Sequence, residues 1–340
     1  LFPFTATAQN DKTGQESDDN QDVNREDNGG LYSYRRKGIM ALEDEVYPAA
    51  QNFFEKYRKA SDFKEPTFAD ATILLVKSLL LQDKVEKANE ALTYHQKNTP
   101  GIEDPQYKET LKYWQIRTYK QNDNTEQTIS AIEDFVNSAG DPRLIAKALQ
   151  IKASIEMKQQ KSYDKAIQTY NRIIETYQEY IGAQTYFLLV QAYLGAEQTD
   201  KAAQIIELAR QNISEESPAM KTKATIYQAL VKLQQGRLDS ALEQYSSIEA
   251  QIGTKKLRPD FWLLINPLIH KCFNNRRFKK VITLVPKAMS LAPNTEKEVQ
   301  LQLTKADALI NQEQIELAIN TLSQIKEQYP QEKLSIRAYL

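Results

Sequence analysis

The sequence contains very little cysteine, histidine, glycine and proline, and each scarcity excludes a class of structure. Its single Cys272 cannot form an intramolecular disulfide, and with His95 and His270 it falls short of a four-ligand Cys/His zinc site. Only 10 Gly and 12 Pro interrupt 340 residues, which favours long helices over a strand-rich fold with many tight turns. The composition therefore predicts an all-α chain.

Excess charge, long apolar runs and catalytic motifs are missing as well. The net charge of -1 gives no general attraction to nucleic acid, and no apolar run approaches the roughly 18 residues that a membrane span needs. There is no Gly-rich phosphate loop, no H-E-x-x-H, no G-x-S-x-G and no C-x-x-C. The sequence predicts a protein that is not an enzyme, has no catalytic residues and binds no cofactor, metal or nucleic acid.

The N-terminal residues predict an exported protein. Ala6-Thr7-Ala8 has the small-x-small pattern that precedes a signal peptidase cut, so residues 1–8 are interpreted as a signal-peptide remnant. The expected localisation is periplasmic, secreted or outer-membrane associated, and a chance A-x-A in a polar terminus is the alternative. Residues 9–30, here called the acidic leader, contain seven acidic residues, two basic ones and one aliphatic residue. This composition predicts disorder, as a solvated linker or as an acidic tether for a partner.

The segment YDKAIQTYNRIIETY, residues 163–177, represents a recurring unit. Its apolar and aromatic residues lie at steps of three and four, the spacing of an amphipathic helix. The same frame occurs eight times in all, at steps of 36 to 40 residues, and a period of that size predicts a solenoid. Each copy has one small or β-branched residue where a neighbouring helix is expected to approach: Ala50, Ala88, Thr128, Ala166, Ala202, Ala241, Val281 and Ala318.

A second amphipathic helix precedes each of these helices, so the predicted unit is a helix pair. Small residues in the middle of the first helix would let the two backbones approach closely, as at Gly38, Ser154, Ala229 and Ala306. In the seventh pair, Pro267 and Pro286 fall inside the two helices. Because proline removes a backbone donor, a bend is expected there.

This pattern resembles the tetratricopeptide repeat family, in its bacterial exported form, over residues 31–333. The family's unit has small residues at its eighth and twentieth positions and a proline near its thirty-second, where Pro100, Pro293 and Pro330 stand here. The departures are spacings longer than the usual 34 residues and the larger Thr128 and Val281. The resemblance implies a right-handed superhelical solenoid of about eight helix pairs. Residues 334–340 are interpreted as the start of a truncated helix or cap.

The resemblance also implies a binding surface. In this family the first helix of each pair lines a concave groove that receives an extended peptide or a partner helix. Tyr113, Arg117 and Lys120 form a mixed aromatic and basic cluster, which is either a binding anchor or a solvated helix face. The family's groove positions, with this cluster, predict six partner-binding residues: Lys77, Tyr113, Arg117, Lys120, Phe187 and Gln191.

A second charged region lies between Lys255 and Lys287, where there are nine basic residues and one acidic residue, Asp260. It is either a docking surface for an acidic partner, such as an anionic envelope surface or the acidic leader, or a set of ordinary solvated faces. Its predicted basic patch comprises Lys255, Lys256, Arg258, Arg276, Arg277, Lys279 and Lys280.

The predicted function is a non-enzymatic scaffold that binds a protein or peptide partner, located in the cell envelope. One alternative is a structural subunit of an outer-membrane or envelope assembly machine. Others are a saccharide-binding module and the regulatory part of a longer enzyme. The partner and the oligomeric state are not specified by the sequence.

Overall fold

The structure, a computed structural model, describes residues 29–99, 104–213 and 217–330. The predicted signal-peptide remnant at 1–8, residues 9–28 of the acidic leader and the predicted terminal helix at 334–340 lie outside these ranges and stay predictions. Within the described ranges the chain is almost entirely helical, which confirms the all-α prediction. It divides into two compact units, the first ending at Ile181 and the second beginning at Gly182.

The first unit contains four helix pairs, and each odd-numbered helix packs on the even-numbered helix that follows it. The first helices α3, α5 and α7 are also neighbours, since α3 contacts α5 and α5 contacts α7. The helices are α1 (Gly29–Glu43), α2 (Tyr47–Ala60), α3 (Pro66–Leu80), α4 (Val85–Asn98), α5 (Pro105–Gln121), α6 (Thr125–Ser138), α7 (Pro142–Lys158) and α8 (Tyr163–Thr176).

The second unit repeats the same arrangement with four further pairs. Short 3-10 turns at Glu249–Gln251 and Lys255–Leu257 lie between the second and third of these pairs. The helices are α9 (Ala183–Gly195), α10 (Thr199–Gln211), α11 (Pro218–Gln234), α12 (Leu238–Ile248), α13 (Arg258–Asn274), α14 (Phe278–Met289), α15 (Thr295–Ile310) and α16 (Ile315–Gln328).

The small position of every pair is buried, which confirms the predicted frame. All eight side chains are at most 1% exposed, including the larger Thr128 and Val281. The hydroxyl of Thr128 donates to the carbonyl of Asn124, so its burial leaves no unpaired donor. Since an isolated helix of this length is marginal in water, the pairs are stabilised mainly by burying these faces against their neighbours.

Gly38 shows why a small residue is needed where two helices cross. A Cβ atom added at this position would lie 2.4 Å from Cε1 of Phe54, which belongs to the partner helix α2. Phe54 is fully buried and fills the space that the glycine leaves. The close approach predicted for the first helix pair is therefore confirmed.

The turn inside each pair has one residue in the left-handed backbone region. Its φ lies between 50° and 78°, and it stands five residues before the small position of the same pair. In seven pairs the following N–H donates to a carbonyl five residues earlier, as Val46 does to Ala41, which closes the end of the first helix. The left-handed residues are Glu45, Asp83, Asp123, Lys161, Glu197, Gly236, Arg276 and Glu313.

The fourth pair departs from this turn by one residue. In this pair the N–H of Ser162 donates to the carbonyl of Glu156, six residues earlier. The extra residue shifts the first helix, so Ala153 is fully buried while Ser154 is only half-buried. The prediction that Ser154 is the close-packed residue of α7 is wrong for this reason.

Proline residues lie at both expected and unexpected places. Pro66, Pro105 and Pro142 begin first helices, where their missing N–H is not needed. Pro267 and Pro286 lie inside α13 and α14, and both helices continue through them. The two prolines therefore do not end the seventh pair's helices.

We expect the Gly236→Ala substitution to lower the stability of the second unit by about 1 kcal/mol, because an L-residue is disfavoured in the left-handed region. Gly236 has a φ of 78°, and an added Cβ would meet no atom within 4 Å, so the effect is purely conformational. Urea unfolding followed by the fluorescence of Trp262, in a Trp114→Phe background, measures it.

Gly253→Ala is the matched control, because Gly253 has equally open space and no positive φ. It should be neutral or stabilising by up to about 1 kcal/mol, since alanine restricts the unfolded chain. An equal loss in both variants would contradict the assigned turn geometry.

Candidate functional site

The first unit brings together five cationic side chains from three neighbouring first helices. Three of them, Lys77 on α3 and Arg117 and Lys120 on α5, were predicted from the sequence as partner-binding residues. Sequence reasoning missed Lys147 and Lys158 on α7, although they lie eleven residues apart and hence on one helix face. We call this set, Lys77, Arg117, Lys120, Lys147 and Lys158, the α3–α5–α7 basic surface.

The pKa shifts of the lysines indicate how closely these charges lie. Burial lowers the pKa of Lys120, and the charges of Arg117 and Lys158 lower it further. Burial also lowers the pKa of Lys147, to which the charge of Arg143 adds, against an opposing effect of Asp141. Smaller contributions from Arg117 and Lys77 act in the same direction on Lys147. After burial, the charges of neighbouring cations thus disfavour the protonated forms of Lys120 and Lys147.

The lysines of this surface combine exposure with desolvation. Lys120, Lys147 and Lys158 are exposed, and Lys77 is half-buried. Burial nevertheless lowers the pKa of Lys158 as it does that of the other two exposed lysines. Solvent still reaches the side chains while neighbouring helices displace part of the water around them, which is the environment of a recessed surface. A ligand can therefore reach these ammonium groups.

Three of the five cations form no ion pair in the described part of the chain. No side-chain ion pair there involves Lys77, Lys120 or Lys147. The nearby Lys152 differs, since its ammonium group lies 2.6 Å from the carboxylate of Glu133. The basic surface therefore carries uncompensated positive charge.

An aromatic residue supports Arg117, but it is Trp114 and not Tyr113. The guanidinium of Arg117 lies 5.4 Å from the centroid of the Trp114 ring, and Trp114 meets the ring of Tyr113 edge to face at 5.9 Å. Tyr113 is only 5% exposed, whereas Trp114 is half-buried. The expectation that Tyr113 is an exposed groove residue is corrected: its ring packs in the core, one helical turn below Arg117.

Between Lys147 and Lys158, the same face of α7 carries two apolar side chains. Ile151 is 7% exposed and Ile155 is 3% exposed, so they form a nearly closed floor. A segment that pairs its carboxylates with the lysines would pass over this floor.

In the second unit, the predicted binding residues Phe187 and Gln191 belong to a buried network. The Phe187 ring is fully buried and stacks on the ring of Tyr227, with centroids 5.1 Å apart. The side-chain amide of half-buried Gln191 donates to the Tyr227 hydroxyl. The prediction that Phe187 is an exposed groove residue is therefore wrong, because its ring has no solvent-facing surface.

The centre of this network is an ion pair between α11 and α13. The ammonium of Lys223 lies 3.1 Å from Oδ1 of Asp260, and the Tyr227 hydroxyl donates to the same oxygen at 3.2 Å. Both charged side chains are about one-tenth exposed. Lys223 also lies 5.8 Å from the centroid of the Phe187 ring. The corresponding face of the second unit is thus closed by its own side chains.

The predicted basic patch of the seventh pair divides into two places. Lys255, Lys256 and Arg258 precede or begin α13, and Arg258 donates to the carbonyl of Ser290. The other four residues stand at the start of α14, where an open depression of about 410 Å³ is lined by Arg276, Arg277, Phe278, Lys279, Lys280 and Gln312.

Part of the charge at the start of α14 is already neutralised. The guanidinium of Arg277 forms a two-pronged ion pair with the carboxylate of Asp239, and the pKa of that carboxyl is lowered by this hydrogen bond. Lys287, further along α14, pairs with Glu249. Arg276, Lys279 and Lys280 form no ion pair among the described residues, so this patch also carries uncompensated charge.

Other kinds of site were sought over the same described ranges. They hold no group of three or more His, Cys, Asp and Glu side chains able to bind a metal ion. None of their helices has the length and apolar character that a membrane crossing requires. Cys272 is fully buried, and burial raises the pKa of its thiol.

Known structures with a similar fold are helical-repeat proteins. A tetratricopeptide repeat protein from Parabacteroides merdae matches with a TM-score of 0.56 at 12% identity, over 81% of this chain and 98% of its own. PilW, a widely conserved type IV pilus biogenesis factor, matches at 0.52 with 15% identity, over 68% of this chain and 98% of its own. A Rap protein complexed with competence and sporulation factor matches at 0.52 with 13% identity, over 91% and 95%. No protein-family model and no curated protein matches the chain. At these identities the likeness shows the fold alone.

Proposed function

We propose that this chain, which has the tetratricopeptide repeat fold, is a protein-binding module that takes an acidic segment of a partner on the α3–α5–α7 basic surface. The observation that carries the proposal is the uncompensated charge of Lys77, Lys120 and Lys147 on three adjacent first helices. The pKa values of Lys120 and Lys147 are lowered first by burial and then by the charges of neighbouring cations, and carboxylates brought to this surface relieve that repulsion.

The roles of the individual residues follow from their positions. Lys120 and Lys147 are the exposed charges that pair with carboxylates, and half-buried Lys77 adds a third point of contact from α3. Arg117, held over the Trp114 ring, offers a planar guanidinium suited to a carboxylate. Ile151 and Ile155 lie between the lysines of α7 but are nearly buried, so the contact is made by the charged groups. The binding is electrostatic in origin, so it should weaken as salt is added.

The envelope is the proposed place of action. The sequence Ala6-Thr7-Ala8 supports export, and the fold is shared with a type IV pilus biogenesis factor. The test is N-terminal sequencing of the protein recovered from cell fractions. A mature end at Gln9 in the envelope fraction is expected, and intact residues 1–8 in the cytoplasmic fraction would refute export.

Charge reversal by Lys120→Glu with Lys147→Glu should weaken the binding of an acidic peptide by at least about tenfold, equivalent to about 1.4 kcal/mol. Both side chains are exposed and have no ion-pair partner among the described residues, so the fold should be retained. Fluorescence anisotropy of a labelled 20-residue Asp/Glu-rich peptide measures the change, with its Asn/Gln counterpart as the uncharged probe.

The matched control is Lys279→Glu with Lys280→Glu, which reverses two exposed lysines of the other basic patch. This control should bind the acidic peptide as the unaltered chain does. If the control loses binding and the Lys120/Lys147 variant keeps it, the site lies at the start of α14. If neither peptide binds the unaltered chain at low salt, the proposed recognition of acidic segments is wrong.

A further inference from the structure

The chain itself contains an acidic segment, and this segment directly precedes the first helix of the unit that carries the basic surface. Residues 9–28 include all seven acidic residues of the acidic leader and its two basic ones, a net charge of 2 − 7 = −5. Gly29, the next residue, begins α1 in the same unit as the α3–α5–α7 basic surface. An acidic segment and an uncompensated basic surface are thus tied together by a covalent link.

We propose that residues 9–28 of this chain occupy the α3–α5–α7 basic surface in the absence of a partner and compete with the partner's acidic segment. The inference rests on the proposed function, because it assigns a second, internal occupant to the same site. The leader would act as a built-in competitor that sets the affinity for outside partners.

The leader is long enough to reach the surface. From α1 there are two steps between neighbouring first helices to α5 and three to α7, or roughly 20 and 30 Å at the usual interaxial distances. An extended chain covers at most about 3.3–3.6 Å per residue, so the ten residues from Asp19 to Asn28 span up to roughly 33–36 Å. Asp18 and Asp19 can therefore reach α5 and α7, whereas Asp22, with seven residues and at most roughly 23–25 Å of chain, reaches no further than α5.

The covalent link to α1 decides between this surface and the basic patch of the second unit. At the start of α14, Arg277 is paired with Asp239, and further along the helix Lys287 is paired with Glu249. Lys77, Lys120 and Lys147 have no such partner in the described part of the chain. Arg276, Lys279 and Lys280 form no ion pair among the described residues either, so charge alone does not choose between the two surfaces. The link to α1, in the first unit, favours the α3–α5–α7 basic surface.

The covalent link makes even weak contacts effective. A short flexible tether gives an effective concentration of the order of 1 mM, and a competitor present at ten times its Kd lowers an apparent affinity about tenfold. A leader that binds with a Kd of about 0.1 mM in isolation would therefore reduce partner binding by about tenfold. Each lysine–carboxylate contact can remain weak and salt-sensitive, as exposed ion pairs are.

Carbodiimide crosslinking of the full chain tests the contact directly, because it joins a carboxylate to a lysine amine only where the two groups meet. The tryptic peptide of residues 13–25 carries Glu16 and the Asp18, Asp19 and Asp22 cluster. Mass spectrometry should find it joined to Lys120 and Lys147. The crosslinks should disappear at 0.5 M salt and in the Lys120→Glu, Lys147→Glu variant.

Other crosslinking results would overturn the proposal. Crosslinks to Lys279 or Lys280 would place the leader on the other basic patch, and an absence of leader crosslinks would mean that it does not dock. The reaction is run on an equal mixture of isotopically light and heavy chains. Mixed light–heavy crosslinks would identify a second copy, rather than the same chain, as the source of the leader.

Neutralising the leader tests the competition. The variant D11N/E16Q/D18N/D19N/D22N/E26Q/D27N should bind a free synthetic peptide of residues 9–28 about tenfold more tightly than the unaltered chain does. Equal binding by both chains would overturn the internal competition and leave the proposed function standing. If the peptide binds neither chain, the basic surface does not take acidic segments, and the proposed function fails together with this inference.

Discussion

Replacing Asp260 by asparagine is expected to lower the free energy of unfolding of the second unit by about 3 kcal/mol, because removing one partner of a buried ion pair leaves the other charge uncompensated. Asp260 and Lys223 are both about one-tenth exposed, with their charged atoms 3.1 Å apart. Asparagine keeps the shape of the side chain and can still accept from the Tyr227 hydroxyl, so the loss reports the charge and not a cavity.

The measurement must isolate the second unit, since two units can unfold separately and a single unfolding energy would then be undefined. The chain has two tryptophans, Trp114 in the first unit and Trp262 in the second. Urea unfolding of Trp114→Phe variants, followed by fluorescence, therefore reports residues around Trp262 alone.

Two companion variants separate burial from charge. Asp239→Asn breaks the exposed ion pair between Asp239 and Arg277, whose side chains are 70% and 41% exposed, and should cost much less stability than Asp260→Asn. Lys223→Met with Asp260→Leu removes both buried charges and should restore stability to near that of the unaltered chain or above. If Asp260→Asn costs no more than Asp239→Asn, Lys223 reaches water and the pair is not buried in solution.

Acidification is expected to destabilise the first unit through His95, by about 3 kcal/mol between pH 7 and pH 4, at roughly 1.4 kcal/mol per pKa unit. His95 is 4% exposed and its ring stacks on Phe68 at 5.6 Å. Its pKa is lowered to about 4, first by burial and then by the charge of Arg58, which lies over the Phe68 and Tyr94 rings. Its Nδ1 has no hydrogen-bond partner among the described residues.

The direction of the effect follows from which state binds the proton. In the unfolded chain His95 takes up a proton below its ordinary pKa of about 6.5, whereas the folded chain resists protonation until about pH 4. The unfolded state therefore binds more protons in this window, and stability falls as the pH is lowered through it. Below about pH 4 both states are protonated and this contribution no longer changes.

The His95→Phe variant identifies the residue responsible. Phenylalanine keeps an aromatic ring against Phe68 and cannot titrate, so this variant should lose about 3 kcal/mol less than the unaltered chain over the same pH range. Urea unfolding in a Trp262→Phe background follows Trp114 in the first unit. His270→Gln serves as the control, because His270 lies in the second unit while Trp114 reports the first. Parallel curves for His95→Phe and the unaltered chain would contradict the burial of His95.

The repeat pattern made the helix pairs predictable because it is a local property. A small residue must stand where two backbones approach, so Ala50, Ala166 and Ala202 could be located from spacing alone. The left-handed turn residues were less visible, since only Gly236 is a glycine and the others are ordinary polar or charged residues. The one-residue insertion in the fourth pair could not be read from spacing, because the period varies from 36 to 40 residues in any case.

The binding residues were harder to predict, since exposure depends on what other helices place around a side chain. Tyr113 and Phe187 stand at groove positions of the family pattern, yet both are buried. The predictions for charged residues agreed better with the observed exposure, because the charged ends of lysine and arginine are rarely buried without a partner. Lys77, Arg117 and Lys120 accordingly remain in the candidate site.

By itself, the sequence determined the helical class of this protein, the number and frame of its helix pairs and the acidic character of its leader. Composition and periodicity are properties of short stretches of chain, so they can be read without knowing which helices pack together. Only the tertiary structure decided which charges meet. Lys77, Arg117 and Lys147 are 30 to 70 residues apart in the chain, and stacking of α3, α5 and α7 brings them onto one surface. The same stacking pairs Lys223 with Asp260 and closes the matching face of the second unit. Electrostatic interactions depend on distance in space, and that distance is set by packing between helices.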